Sequence, residues 1–143
     1  MISKAKTTDL HQIVDLEKKV FNDTLGIEFL HFELTENPYA FMFVYHINSQ
    51  VVGYIGIRIL DQNAEMMNFV VDSNYQRQGI GSELLNVVID ILKQHHIELL
   101  SLEVRKHNKK AIRFYEKHHF EVSHIRKNYY QNEDAIVYIR KVT

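Results

Sequence analysis

The chain has 143 residues, with 17 Lys and Arg against 18 Asp and Glu, a single Pro, five Gly and no Cys. A chain of this length buries roughly 68–70% of its unfolded surface, enough for one core, so a single domain over residues 1–143 is expected. The near-neutral balance argues against general affinity for nucleic-acid phosphate, and the absence of cysteine excludes disulfides, thiolate zinc sites and a cysteine nucleophile.

The first residues, with Lys4, Lys6 and Asp9 and no apolar run, do not read as a signal peptide. No segment approaches the ~18 apolar residues of a spanning helix, so a cytoplasmic protein off the membrane is expected. Ile2–Lys6 alternates and reads as a strand. Thr7 or Thr8 can cap a helix, with Asp9 at its positive end, and Leu10, Ile13, Val14, Val20 and Phe21 recur at helical spacing to about Asn22. A second helix covers Ile27–Thr35 through Phe29, Leu30, Glu33 and Leu34, and Pro38 ends it. Three strands follow, Ala40–Ile47, Val51–Leu60 and Glu65–Val71, joined by polar turns at Asn48-Ser49-Gln50 and Asp61-Gln62-Asn63; an antiparallel arrangement is the economical one.

Beyond Val71 the pattern changes. Gly79-Ile80-Gly81 opens a helix carrying Ile80, Leu84, Leu85, Val88, Ile91 and Leu92 on one side. Leu99–Val104 is almost unbroken apolar sequence, which suggests a strand buried on both faces. Asn108 caps a helix to about Lys117, and Glu121–Lys127 and Ala135–Val142 alternate as the last strands. The order is β-α-α-β-β-β-α-β-α-β-β, a mixed, mostly antiparallel α/β (α+β) sheet flanked by helices.

The segment from Val70 to Ser82 carries the clearest chemistry. A strand, a polar turn and two glycines lead into a helix, whose first N–H groups are unpaired and partly positive. Glycine lets a phosphate approach that backbone, and Arg77 adds a cation, so a pyrophosphate is a natural ligand. A Walker A loop is excluded because Gly81 is followed by Ser82-Glu83, and a Rossmann fingerprint because Leu84 stands at the third glycine. Nine histidines invite a metal reading. The adjacent pairs His95-His96 and His118-His119 point in two directions, however, and surface histidine without metal is the better reading.

The spacing Gln76-x-x-Gly79-x-Gly81 resembles the acetyl-CoA signature of the GCN5-related N-acetyltransferases (GNAT). Leu102-Glu103-Val104-Arg105, Asn108, Ala111-Ile112-x-x-Tyr115-Glu116-Lys117, Phe120, Arg126 to Tyr130 and Glu133-Asp134-Ala135 resemble its ribosomal-protein-alanine (RimI-like) branch. The resemblance covers nearly the whole chain and is sharpest from Met67 to Tyr130. It implies the GNAT fold and a cytoplasmic enzyme that moves the acetyl group of acetyl-CoA, its cosubstrate, to a protein N-terminus, the alanine of a ribosomal protein. A monomer or weak dimer is expected, and the charge balance leaves no direct nucleic-acid partner expected.

By the same resemblance, Arg77, Gln78, Gly79, Ile80, Gly81 and Ser82 would hold the pyrophosphate. Phe69, Val70 and Val71 would offer backbone groups to the pantetheine arm from a bulged strand, and Asn108 would add a contact to it beside its capping role. Glu103 would be the general base, its pKa raised by partial burial; pairing with Arg105 or Lys106 is the alternative. Tyr115 would be the general acid towards the departing thiolate, and Tyr129 and Tyr130 would border the peptide, with an aromatic pair as the alternative. An α-amino group, with a pKa of about 8, asks less of a base than a lysine at about 10.4. Without cysteine no residue of that kind can carry the acetyl group, so direct attack in a ternary complex is expected.

Two departures stand out. His118-His119-Phe120 replaces Leu-Gly-Phe, so His119 is expected to take the left-handed helix stop that glycine normally supplies. Phe21-Asn22-Asp23 stands where the family commonly has Pro-Trp. The alternatives are an acetyltransferase for a small amine or a lysine, and a non-catalytic acyl-CoA sensor.

Overall fold

The computed structural model describes residues 1–130 and 133–142. Its elements are β1 (Ile2–Lys4), α1 (Leu10–Phe21), α2 (Ile27–Thr35), β2 (Ala40–Ile47), β3 (Gln50–Leu60), β4 (Asn63–Val71), α3 (Ile80–Gln94), β5 (Leu99–Arg105), α4 (Lys109–Lys117), β6 (Glu121–Tyr130) and β7 (Glu133–Lys141). This is the expected order. The strands form a seven-stranded sheet in the order β1-β2-β3-β4-β5-β7-β6. By contact density the chain forms two compact units, Met1–Arg58 with Met67–Ile91, and Ile59–Met66 with Leu92–Thr143. No helix among the described residues is long and apolar enough to cross a membrane.

In the first unit β1 pairs antiparallel with β2, and β2 with β3. Leu10, Ile13, Leu16, Leu30, Met42, Val44, Val51, Tyr54 and Val70 form one buried cluster. The helix face differs from expectation. Leu16 and Glu17 are buried on α1, whereas Val14 and Val20 are half-buried and Phe21 is exposed. The N-terminal cap also differs. Thr7–Asp9 is a 3-10 turn, and Asp9, not a threonine, accepts the Lys6 N–H at 2.8 Å. β1 therefore stops at Lys4, two residues earlier than expected.

In the second unit β4 runs parallel to β5 over Asn63–Glu65 against Leu99–Ser101, and the later part of β4, Met67–Val71, belongs to the first unit. β5 is not buried on both faces. Leu100, Leu102 and Val104 are buried while Leu99, Ser101 and Glu103 are half-buried, so the strand alternates and Glu103 sits on its more open face. β5 and β6 each pair antiparallel with β7. β6 is longer than expected and ends the strand order. Its residues are exposed up to Tyr129, and its pairing with β7 shifts register at Val122/His124 and again at Arg126/Tyr130. The His119 expectation holds: its φ is +71°, and Phe120 N–H closes the helix on Tyr115 O at 3.0 Å.

Candidate functional site

In the first unit the glycine loop is assembled from the end of β4. Asp72 ties it down: its N–H donates to Val52 O at 2.8 Å, and its buried carboxylate accepts from Asn74 N and from Lys19 Nζ of α1, each at 3.0 Å. Burial alone would raise this carboxyl, but the Asn74 N–H and the Lys19 ammonium outweigh it and hold the group below its usual range. Gln76 Nε2 donates to Val71 O at 3.0 Å. The first residue of the glycine motif thus closes the loop on the strand it leaves, and takes one of the β4 carbonyls expected to serve pantetheine. The Phe69 N–H donates to its neighbour's side chain, Asn68 Oδ1, at 3.0 Å.

Arg77 and Gly79 turn the chain with φ of +65° and +83°. Glu83 N–H makes an early α3 bond to Gly79 O at 3.0 Å, so the amides of Ile80 and Gly81 lie in the turn where helices lack internal acceptors. A Cβ built at Gly79 would meet nothing within 4 Å. Arg77, Gln78 and Gly79 are all exposed. An open, positive-φ backbone at a 15-residue helix N-terminus fits a pyrophosphate.

The same unit holds two buried carboxylates that were not singled out as site residues. Glu17 accepts from Thr24 Oγ1 at 2.6 Å, from Leu25 N–H and from Asn68. Glu33 is paired with Arg58 and accepts from Asn37 Nδ2 at 3.0 Å. Burial would raise Glu33, but the Arg58 and Asn37 bonds bring it below its ordinary value. Spacing could have exposed both. Glu17 follows Leu10 and Ile13 by seven and four positions, and Glu33 follows Leu30 by three, so both fall on apolar faces.

The second unit brings four of the expected residues together. Glu103, 27% exposed at its side chain, pairs through Oε1 with Arg126 Nη1 at 2.9 Å; its partner is neither Arg105 nor Lys106. Across β7, Arg105 and Arg126 flank the same small buried residue, Ala135, while Glu103 lies opposite Val137. Tyr129 and Tyr130 are on the end of β6, not in a connecting loop, with their rings edge-on at 5.1 Å. Arg105 stacks on Tyr130 at 4.1 Å and Arg126 on Tyr129 at 5.1 Å. Arg105 and His107 both bond Glu133; burial would raise that carboxyl, and these partners lower it instead.

Tyr130 is the electrostatic centre of the group. Burial, then Glu103 and Tyr129, raise its phenol, with Arg105 opposing. It in turn adds to the burial that pushes the Tyr115 phenol well above its usual value. Tyr115 hydroxyl lies 4.0 Å from Met66 Sδ. Asn108 caps α4, accepting the Ala111 N–H at 3.2 Å, as its capping role requires. Among the described residues, no group of three or more His, Asp or Glu could hold a metal ion.

Residues 7–120 match the Acetyltransferase (GNAT) family. The chain belongs to the GNAT acetyltransferase family. It is 38% identical to the ribosomal protein bS18-alanine N-acetyltransferase of Escherichia coli strain K12, covering 95% of this chain and 93% of that protein. It is 32% identical to an N-alpha-acetyltransferase of Sulfurisphaera tokodaii, over 94% of this chain and 88% of that one. The crystal structure of the ribosomal-protein-S18-alanine N-acetyltransferase from Escherichia coli superposes with a TM-score of 0.90 at 31% identity, covering 100% of this GNAT chain and 94% of the other. This GNAT enzyme is therefore an acetyltransferase, and its relatives lie in the RimI-like branch.

Proposed function

We propose that the whole chain, residues 1–143, works as one cytoplasmic domain that acetylates the α-amino group of a protein N-terminus, with the N-terminal alanine of a ribosomal protein as acceptor. The observation that carries this reading is the Glu103–Tyr130–Tyr115 cluster in a chain 38% identical to a bS18-alanine N-acetyltransferase. Acetyl-CoA supplies the activated acyl group as a thioester. The backbone of Arg77, Gln78, Gly79, Ile80, Gly81 and Ser82 binds the pyrophosphate, and Phe69, Val70 and Val71 with Asn108 align the arm.

Glu103 takes the proton of the incoming amine. The acceptor amine is attracted by the carboxylate and repelled by Arg126, so Arg126 must yield as the amine settles. Tyr115 is protonated at neutral pH, as an ordinary phenol is, and burial holds the proton more tightly still, which makes it a hydrogen-bond donor to the departing sulfur. Full proton transfer from a phenol of raised pKa to a thiolate near about 8.5 is uphill, so stabilisation by that bond is its larger contribution. Tyr129 and Tyr130 border the peptide. With no cysteine in the chain, the amine attacks the thioester directly in a ternary complex.

The test is CoA release with peptides varied at their first residues, run beside free small amines and peptides whose only amine is a lysine side chain. Turnover with free N-terminal peptides, alanine-first among the best, supports the reading. Turnover confined to small amines or lysine overturns the acceptor. Binding of acetyl-CoA with no CoA release in any arm points to a sensor.

A further inference from the structure

Glu133 opens β7. Its cross-strand partner on β6 is Tyr130, and two positions further along β7, Ala135 stands opposite both Arg105 of β5 and Arg126 of β6. Glu103, two positions before Arg105, stands opposite Val137. Cross-strand partners share a face of the sheet and successive side chains alternate. Glu103, Arg105, Arg126, Tyr130 and Glu133 therefore project from one face, all within the second unit. Arg105 thus has two carboxylates within reach of its side chain. Glu103 is about 7 Å away along β5, and Glu133 lies diagonally across on β7.

The fold gives Arg105 to Glu133. Its Nη1 lies 3.4 Å from Glu133 Oε1, and its guanidinium sits 4.1 Å over the Tyr130 ring. The Arg105 side chain is half exposed, so packing does not fix it; the carboxylate and the ring do. Glu133 is itself well held. It is largely buried, accepts the His107 N–H at 3.1 Å and pairs with the His107 ring. Burial would raise this carboxyl, but His107 and Arg105 bring it below its ordinary value, so it is an anion at neutral pH. Glu103 meanwhile carries the Arg126 guanidinium at 2.9 Å. A second guanidinium on Glu103 would compete with the amine for its oxygens and repel the ammonium form. The alternation of β5 alone would allow that contact, and Glu133 draws Arg105 the other way.

We propose that Glu133 is a positioning residue: by holding Arg105 against Tyr130 it keeps a second cation off Glu103 and leaves that carboxylate to the acceptor amine. This rests on Glu103 being the base, as in the function proposed above. The experiment measures CoA release with an alanine-first peptide for the full-length wild type, Glu133→Gln, Arg105→Gln, the double variant and Glu103→Gln. Gln at 133 keeps an oxygen for the His107 N–H and loses the charge that holds Arg105. The released guanidinium competes with the amine, so the peptide KM of Glu133→Gln should rise roughly 2- to 5-fold, while kcat and the acetyl-CoA KM stay near wild type. The rise should shrink as salt is added, because the competition is between charges; a packing defect would not respond. In the double variant there is no guanidinium to release, so it should match Arg105→Gln alone. A wild-type KM in Glu133→Gln, a rise insensitive to salt, or losses that multiply in the double variant overturns the proposal. Absence of wild-type turnover, or Glu103→Gln turning over at the wild-type rate, overturns the underlying reading instead, and the role of Glu133 falls with it.

Discussion

Replacing Asp72 by Asn tests whether the Lys19–Asp72 pair braces the glycine loop. Asp72 is 3% exposed and accepts the Lys19 ammonium on both oxygens at 3.0 Å, as well as the Asn74 N–H. Asn retains the shape and the Asn74 bond but loses the charge. Hydrogen bonds to a charged group contribute about 1.5–3 kcal/mol. Lys19 is 49% exposed and regains water when released, so the net loss should be about 1–2 kcal/mol. Urea denaturation of wild type and variant at several pH values measures it, with a thermal shift of roughly 2–4 °C per kcal/mol as a second reading. The pH dependence has a definite sign. The folded carboxyl titrates below its unfolded value, so its contribution is fully present above the ordinary value of about 3.9. It is lost as pH falls through the lower, folded value. The gap between the two proteins should stay constant from pH 7 to about pH 5 and close below about pH 4. A gap as large at pH 3 as at pH 7, or none at pH 7, would refute the account.

Glu103→Gln should lower kcat at neutral pH, with the loss shrinking as pH rises and the amine loses its proton unaided; an unchanged pH–rate profile would remove Glu103 from the base role. Because its partner Arg126 is 48% exposed, the same substitution should change stability by less than about 1 kcal/mol in urea denaturation. Tyr115→Phe should slow transfer while leaving acetyl-CoA affinity nearly intact in a direct binding titration, and a large loss of affinity would show a packing role instead. His119→Gly relieves a side chain held at φ +71° and should raise unfolding stability by about 0.5–1 kcal/mol, read from the denaturation midpoint.

The strand, turn and helix start around Gly79 and Gly81 were legible because glycine, a strand end and a helix start leave a local mark. The order of elements was legible for the same reason: each carries its own period. Asn108 and His119 behave as their neighbours in sequence dictate. What stayed hidden depends on residues far apart in the chain. Glu103 pairs with Arg126 because β6 and β5 both flank β7, a juxtaposition no spacing encodes. The α1 face departs from its apolar pattern because polar Glu17 bonds both Thr24 and Asn68, the latter 51 positions beyond it. β6 runs past Lys127 to Tyr130 because register shifts absorb residues that break its alternation.

Those register shifts have a consequence for how the protein behaves in a crowded solution. A ten-residue outermost strand is a template on which another chain can add, which is the first step towards fibrous aggregation. Many proteins block such a strand with proline, but the single proline here is Pro38, far from it in sequence. Irregular pairing of this kind works against a flat edge, and Arg126 and Lys127 place like charge along it. The defects of one strand thus work against such addition, and a variant that straightened β6 should associate more readily at high concentration.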